Sequence, residues 1–143
     1  KANGYHHVID YTSTDFEAEV MRLTDGKGVD VTYDSVGNDT MARSLTSTRR
    51  HGMIIAFGQS SGAYLDFKIS DLAKGSYKLS RPTLFHFVGE RDWLEANSAK
   101  LFTAVTDGTV DISINQKFPL ADVAKAHDAL TGRATTGSTI LKV

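Results

Sequence analysis

The chain has 143 residues, of which 41% are hydrophobic and 23% are charged, and this composition predicts a folded globular protein rather than a disordered one. Its formal net charge of −1 offers no electrostatic footprint for nucleic acid. The absence of cysteine excludes disulfides, thiolate zinc sites and cysteine nucleophiles within the chain. No apolar run approaches the roughly 20 residues that span a bilayer, and there is no signal-peptide pattern, so we expect no membrane partner and a cytoplasmic protein.

The first part of the chain alternates strand and helix patterns. The short apolar-centred run His6–Tyr11 predicts a strand. Thr14 and Glu17 have the spacing of a capping box, which predicts a helix that begins at Thr14 and ends before Gly26. Val29–Tyr33 predicts the next strand, so this part has a strand–helix–strand order.

A second helix is predicted after this strand, with Asn38 as its cap and Met41 and Leu45 on its apolar face. We expect Arg49–His51 to lie at the end of this helix, because cations are favourable at a helix C-terminus. The fully apolar run that follows predicts a strand at Met53–Phe57.

The rest of the chain continues the alternation. The predicted elements are a short helix at Ile69–Ala73, a strand at Ser76–Leu79, a long helix at Glu90–Thr106, a strand at Val110–Phe118, a helix at Leu120–Leu130 and a strand at Ser138–Val143. Alternating strands and helices favour an α/β fold with a mostly parallel sheet. We therefore expect a Rossmann-like unit up to about residue 108, followed by a strand–helix–strand tail that need not join its sheet.

Two polar turns directly follow predicted strands. Asp34–Gly37 comes after the first of these strands, and Phe57–Gly62 comes after the second. Ligands of open α/β sheets bind outside the carboxyl ends of the strands, so the two turns suggest two walls of one cofactor groove. The alternatives are an ordinary helix entry and an ordinary glycine loop, because Asp, Ser and Gly also serve plain turn chemistry.

Four motifs, in the same order, resemble a known family. They are Tyr33–Gly37, Phe57–Gly62, Leu79–Leu84 and Arg133–Ser138, the last after the Lys125–His127 helix segment. Their sequences are similar to those of the quinone oxidoreductases, the zinc-free branch of the medium-chain dehydrogenase/reductases that includes zeta-crystallin. The resemblance covers all 143 residues.

The resemblance implies an incomplete subunit. Family members begin with a catalytic domain, and their nucleotide-binding domain opens on a glycine-rich loop, whereas no G-x-G-x-x-G occurs in this chain. We therefore expect a piece of a longer protein, with residues 1–108 as part of the Rossmann domain and residues 109–143 as a tail that belongs to the catalytic domain. In the family order, His6–Tyr11 has no neighbouring strand within this chain.

The resemblance also implies NADPH as the cofactor and a set of residues beside it. Tyr11 would lie at the adenosine end and Arg133 near the 2′-phosphate, although a half-buried tyrosine and a solvated turn arginine remain alternatives. None of the five histidines has a metal-ligand spacing, and we assign no catalytic residue and no metal. The cofactor-binding residues implied by the resemblance are Tyr11, Ser35, Val36, Phe57, Gly58, Gln59, Ser60, Pro82, Thr83, Leu84, Phe85 and Arg133.

The implied function is that of the cofactor-binding half of an NADPH-dependent quinone oxidoreductase, with a quinone-type acceptor held in the full-length protein and the fragment itself inactive. One alternative is an enoyl or alkenal reductase of the same superfamily, and another is a non-enzymatic fragment that dimerises. In the family, strands equivalent to Ser76–Leu84 of two subunits pair edge to edge, which implies a homodimer. The alternative is an edge that is covered within the monomer.

Overall fold

The computed structural model describes residues 4–143. The chain divides into two compact units, Lys1–Leu84 and Phe85–Val143. Each unit contains parallel strands and helices, which confirms the predicted α/β class. The predicted domain boundary near residue 108 refers to the domains of the longer protein and stays a prediction. Residues 1–3 of the predicted first domain, 1–108, lie outside the described residues.

The first unit is built on a three-stranded parallel sheet. Its strands are β1 (Val29–Asp34), β2 (Thr48–Ala56) and β3 (Lys78–Ser80), with β2 in the middle. The carboxyl ends of β1 and β2 lie side by side, because Asp34 is paired with Ala56 in the ladder. The two predicted turns therefore start from neighbouring points on one edge of the sheet.

Helix α1 (Phe16–Leu23) precedes β1, and its cap is one residue later than predicted. The Asp15 carboxylate accepts the backbone N–H groups of Glu17 at 3.1 Å and Ala18 at 3.3 Å. Asp15 thereby satisfies two of the amides that have no partner within the helix. The prediction of Thr14 as the cap is therefore wrong.

The prediction of a strand at His6–Tyr11 is also wrong. A strand needs a hydrogen-bonding ladder, and these residues have no ladder partner within residues 4–143. Asp10 instead opens a turn, where its carboxylate accepts the Thr12 N–H at 2.9 Å and its carbonyl accepts the Thr14 N–H at 2.9 Å.

Helix α2 (Met41–Thr46) connects β1 to β2 and is shorter than predicted. It begins after Thr40 rather than at Asn38, and β2 already starts at Thr48. Arg49–His51 therefore belongs to a strand, not to the helix end. The ladder pairs Val29 with Thr48 and Val31 with Met53, so an insertion of several residues in β2 lies opposite Asp30. Arg49 forms an ion pair with Asp30 there, so the charge of this residue has a partner on the sheet.

The hydrophobic core of the first unit lies between α2 and β2. Met41 and Leu45 are buried, as their helical spacing predicted, and Ile54 is completely buried. A 3₁₀ helix, Ile69–Lys74, lies where a short helix was predicted. The half-buried residues packed against the core are Ala56, Tyr64, Phe67, Leu72, Tyr77 and Leu79.

The second unit contains α4 (Arg91–Thr106) and a strand–helix–strand tail. The short helix α3 (Leu84–Val88), which was not predicted, lies at the junction of the units, and α4 agrees with its prediction. The tail consists of β4 (Ile114–Pro119), a 3₁₀ turn (Leu120–Asp122), α5 (Val123–Thr131) and β5 (Ser138–Lys142). β4 and β5 form their own parallel sheet, and β4 starts later than predicted because the residues from Val110 to Ser113 have no ladder partner in the described chain.

No helix within residues 4–143 combines the length and the apolar character that crossing a membrane requires. The cytoplasmic location stays a prediction.

Gly28 and Gly26 provide a matched test of packing at the start of β1. Both have a positive φ, of 79° and 75°, but a Cβ on Gly28 would lie 2.6 Å from the Ser47 carbonyl oxygen, whereas a Cβ on Gly26 would meet open space. We expect Gly26→Ala to cost about 1 kcal/mol of unfolding free energy, for the left-handed backbone alone. Gly28→Ala should cost about 3 kcal/mol, because a backbone clash is added. Urea unfolding measures both, and equal losses would contradict the packing of Gly28 against Ser47.

Candidate functional site

The first turn is organised by the carboxylate of Asp34, the last residue of β1. Asp34 is 4% exposed, and its two oxygens accept hydrogen bonds from two different parts of the chain. Oδ1 accepts the backbone N–H groups of Val36 and Gly37, each at 2.9 Å. Oδ2 accepts the hydroxyls of Thr40 at 2.8 Å and Ser44 at 2.6 Å. One side chain thus ties together the strand, the turn and helix α2.

The hydrogen bonds decide the charge state of Asp34. Burial by itself would raise the pKa of this carboxyl, but the bonds from Ser44, Gly37, Thr40 and Val36 outweigh burial and hold the pKa below its usual range. The group is therefore a stable carboxylate that has no proton to give near neutral pH. Its geometry suits the support of a turn and not proton transfer.

The second turn is bonded directly to the first. The Phe57 N–H donates to the Asp34 carbonyl at 2.9 Å, and the Ser61 N–H donates to the Val36 carbonyl at 2.8 Å. The Ser61 hydroxyl donates to the same Val36 oxygen at 2.8 Å. The backbone groups through which the two turns face each other are therefore occupied by hydrogen bonds between the turns. The two turns form one continuous wall.

The glycines in the turns serve this contact. Gly37 has a φ of 89°, and a Cβ placed on it would lie 2.5 Å from the Gly62 carbonyl oxygen. A Cβ on Gly58 would collide with the backbone of Ser35. At Gly37 and Gly58, the group that approaches the backbone closely in the structure is the neighbouring turn.

An apolar cleft of about 280 Å³ borders the first turn at the carboxyl end of β1. It brings together three of the predicted cofactor-binding residues: Tyr11, Ser35 and Val36. Ser35 is exposed and Tyr11 is 37% exposed, so both side chains are accessible from this cleft. The remaining lining residues are Ile9, Phe16, Val20, Thr32, Tyr33, Asp34, Thr40 and Ser44.

A second cleft, of about 240 Å³, borders the second turn on its core side. It is lined by Gly58 and Gln59 of the predicted set, together with core residues such as Met41 and Phe67, and by Arg81. The other predicted residues of this turn, Phe57 and Ser60, are exposed.

The remaining predicted residues lie farther along the chain. Pro82 and Thr83 are half-buried after β3, and Leu84 is exposed. Phe85 and Arg133 belong to the second unit, where Phe85 is 82% exposed and Arg133 has a φ of 55°. The cofactor contacts of all twelve residues stay predictions.

The sequence indicates Asp34 only as a turn residue, and it gives no reason to place Thr40 or Ser44 in the predicted cofactor site. Their six- and ten-residue separations from Asp34 match no short motif, so nothing local indicated that both hydroxyls reach one carboxylate. Within the described residues, no group of three or more His, Cys, Asp or Glu side chains is arranged to hold a metal ion.

The lowered pKa of Asp34 predicts a pH-dependent stability. Its contribution is fully present above the unfolded aspartate pKa of about 3.9 and is lost as the pH falls toward the lower folded value. At pH 7, we expect Asp34→Asn to cost about 2 kcal/mol of unfolding free energy. At pH 3 the cost should be smaller, because the unfolded wild-type chain takes up a proton at Asp34 more readily than the folded chain does.

Urea unfolding at both pH values measures this difference. Ser47→Ala is the control, since the Ser47 hydroxyl is buried without a hydrogen-bond partner in the described structure and does not titrate in this range. If the difference in unfolding free energy between wild type and Asp34→Asn is the same at pH 7 and at pH 3, the role assigned to the ionised carboxylate is contradicted.

Comparison with known proteins identifies the family. A family model described as zinc-binding dehydrogenase matches residues 3–141. The 2-haloacrylate reductase of a Burkholderia species is 41% identical over 140 residues, which are 96% of this chain and 42% of that protein. Quinone oxidoreductase 1 of Escherichia coli K12 is 40% identical over 141 residues, which are 96% of this chain and 43% of that protein.

Solved structures agree with these relatives. The quinone oxidoreductase of Pseudomonas syringae pv. Tomato DC3000 is 36% identical with a TM-score of 0.91, over 99% of this chain and 44% of that chain. The Escherichia coli quinone oxidoreductase complexed with NADPH is 38% identical with a TM-score of 0.91, over 98% of this chain and 44% of that chain. The chain thus spans less than half the length of these relatives.

These matches confirm the resemblance drawn from the four motifs: the chain belongs to the zinc-binding dehydrogenase family, and its homologues there are quinone oxidoreductases and related reductases.

Proposed function

We propose that the chain is the cofactor-binding half of an NADPH-dependent quinone oxidoreductase. The observation that carries this proposal is the wall formed by the two bonded turns at the carboxyl ends of β1 and β2, beside an apolar cleft. This edge of a parallel sheet is where α/β proteins bind nucleotides. The relatives that were crystallised with NADPH support the choice of cofactor.

The residues at the first cleft fit a nucleotide. Its lining is mainly apolar, which suits the flat face of a ring, and the exposed Ser35 and Tyr11 provide hydroxyls for polar groups at its border. When bound, NADPH supplies a hydride to an electron-poor acceptor. The residues of this chain would hold and orient the cofactor. We assign no proton transfer to any of them.

The acceptor class follows from the relatives and has two candidates. The quinone oxidoreductases favour a quinone, which is our first choice. The 2-haloacrylate reductase favours an activated alkene, and reduction of an enoyl or alkenal compound needs the same hydride.

We expect the 143-residue chain to be inactive alone. A glycine-rich loop followed by a helix N-terminus holds the pyrophosphate in dinucleotide-binding folds, and the sequence contains no such G-x-G-x-x-G motif. Without that anchor, NADPH should bind weakly, with a Kd of about 1 mM, and tight binding in a calorimetric titration would contradict this expectation.

A chimera tests the proposal at the level of activity. Residues 4–143 replace the matching 43% of the Escherichia coli quinone oxidoreductase 1, and NADPH oxidation is followed with 1,4-benzoquinone and with 2-chloroacrylate. We expect quinone-dependent oxidation above the uncatalysed rate, none from the 143-residue chain alone, and a lower rate with the haloacrylate. A folded chimera that oxidises NADPH with neither acceptor would refute the proposal, and a preference for the haloacrylate would favour the alkene alternative.

We also propose that the chain forms a homodimer through the strand region Ser76–Leu84. Within the described residues, β3 pairs with β2 on one side only, so it is an edge strand of the sheet. An open strand edge is a template for pairing with a second copy.

Sedimentation velocity tests the homodimer. We expect a species with twice the 15.6 kDa mass of the chain, and slower amide exchange in Lys78–Ser80 as the protein concentration rises. A monomer at all concentrations, with unchanged exchange in β3, would show that this edge is not a subunit contact.

A further inference from the structure

Asp34 is a buried titratable group to which the proposed reaction assigns no role. It lies at the centre of a network that joins β1, the first turn and α2, and all four of its hydrogen bonds are 2.6–2.9 Å long. It borders the first cleft beside Ser35 and Val36, but it is 4% exposed, so a ligand would touch its neighbours rather than its carboxylate.

The shape that Asp34 gives to the first turn extends to the second. The amides of Val36 and Gly37 are fixed by Oδ1, and the Val36 carbonyl in turn accepts both the N–H and the hydroxyl of Ser61. The Ser35 carbonyl accepts the Ser60 N–H at 3.2 Å. A change in the direction of the peptide groups after Asp34 would therefore also displace Ser60 and Ser61.

We propose that Asp34 is a positioning residue for NADPH, which acts by holding Ser35 and Val36 in the orientation that faces the first cleft. This inference rests on the proposed function and goes beyond it by naming the group that shapes the binding wall. Ionised Asp is suited to this task because one oxygen can accept two backbone amides while the other accepts two hydroxyls.

A positioning role and a role in stability alone can be separated by substitution. Asp34→Ala removes all four acceptor contacts, whereas Thr48→Val removes a buried hydroxyl that donates to the Ser44 carbonyl at 2.8 Å and leaves all four Asp34 bonds in place. Thr48 lines neither cleft, so Thr48→Val is the matched control for a role in stability alone. Asp34→Asn retains an oxygen for the two amides and turns its NH₂ group toward hydroxyls that can also accept, so it is the conservative variant.

The experiment uses the ¹⁵N-labelled chain with two readouts, amide exchange without ligand and an NMR titration with NADPH, which detects binding near 1 mM. In Asp34→Ala we expect exchange at Ser60 and Ser61 to accelerate about tenfold and the Kd for NADPH to rise about tenfold, as the loss of one well-placed hydrogen bond implies. In Thr48→Val both values should stay within about twofold of wild type, and Asp34→Asn should recover most of the affinity. If Asp34→Ala fails to fold, Asp34→Asn and Thr48→Val are compared instead, and a Kd and a Ser60 and Ser61 exchange rate that Asp34→Asn changes no more than Thr48→Val does would overturn the positioning role.

The outcomes separate this inference from the proposed function. Wild-type binding that Asp34→Ala leaves unchanged would overturn the positioning role while the proposed function stands. Equal losses of affinity in Asp34→Ala and Thr48→Val would also overturn it, since a general loss of stability would then explain both. A wild-type chain whose spectrum does not respond to NADPH would overturn this inference together with NADPH binding by these residues.

Discussion

The burial of the Asp34 carboxylate is the constraint on which the first unit depends. Removing a charged group from water is costly, and the cost is offset only if its oxygens are fully hydrogen-bonded. Four donors meet that requirement, and they come from the turn after β1 and from α2. The strand end, the turn and the helix can therefore not move independently without leaving a charge that is buried and poorly bonded. Because the second turn is bonded to the first, its position follows from the same constraint.

Much of the fold could be predicted because periodic burial is a local property of the sequence. The spacing of Met41 and Leu45 correctly predicted the buried face of α2, and the apolar runs correctly predicted β1 and the C-terminal part of β2. The wrong predictions concern segments whose structure depends on a partner that is distant in the sequence. Arg49–His51 has the charge of a helix end, but pairing with β1 extends β2 through it. His6–Tyr11 has the composition of a strand, but composition alone cannot supply a ladder partner.

The site shows the same division. The positions of the two turns could be predicted from the ends of the two strands. That the turns lie side by side could be predicted because the strands are parallel neighbours in the sheet. The role of the glycines could not be predicted from the sequence. Gly37 of the first turn is required by its contact with Gly62 of the second turn, and Gly58 of the second turn by its contact with Ser35 of the first. Asp34 looked like ordinary turn chemistry, which is correct for its bonds to Val36 and Gly37. Its bonds to Thr40 and Ser44 depend on the direction in which α2 leaves the turn, and no local pattern encodes that direction.

The balance of buried groups explains why a polar network, rather than the core, sets the shape of the wall formed by the two turns. Within the described residues of the first unit, the buried hydrophobic side chains are Met41, Leu45 and Ile54. Hydrophobic burial is not directional, so a core of this size can hold α2 against the sheet without fixing peptide planes. Hydrogen bonds to a carboxylate fix both distance and direction. The direction of the hydroxyls and amides in this wall is therefore better determined by Asp34 than by additional apolar packing behind it. The buried polar residues, which outnumber the hydrophobic ones in this unit, are Asp34, Thr40, Ser44, Ser47 and Thr48.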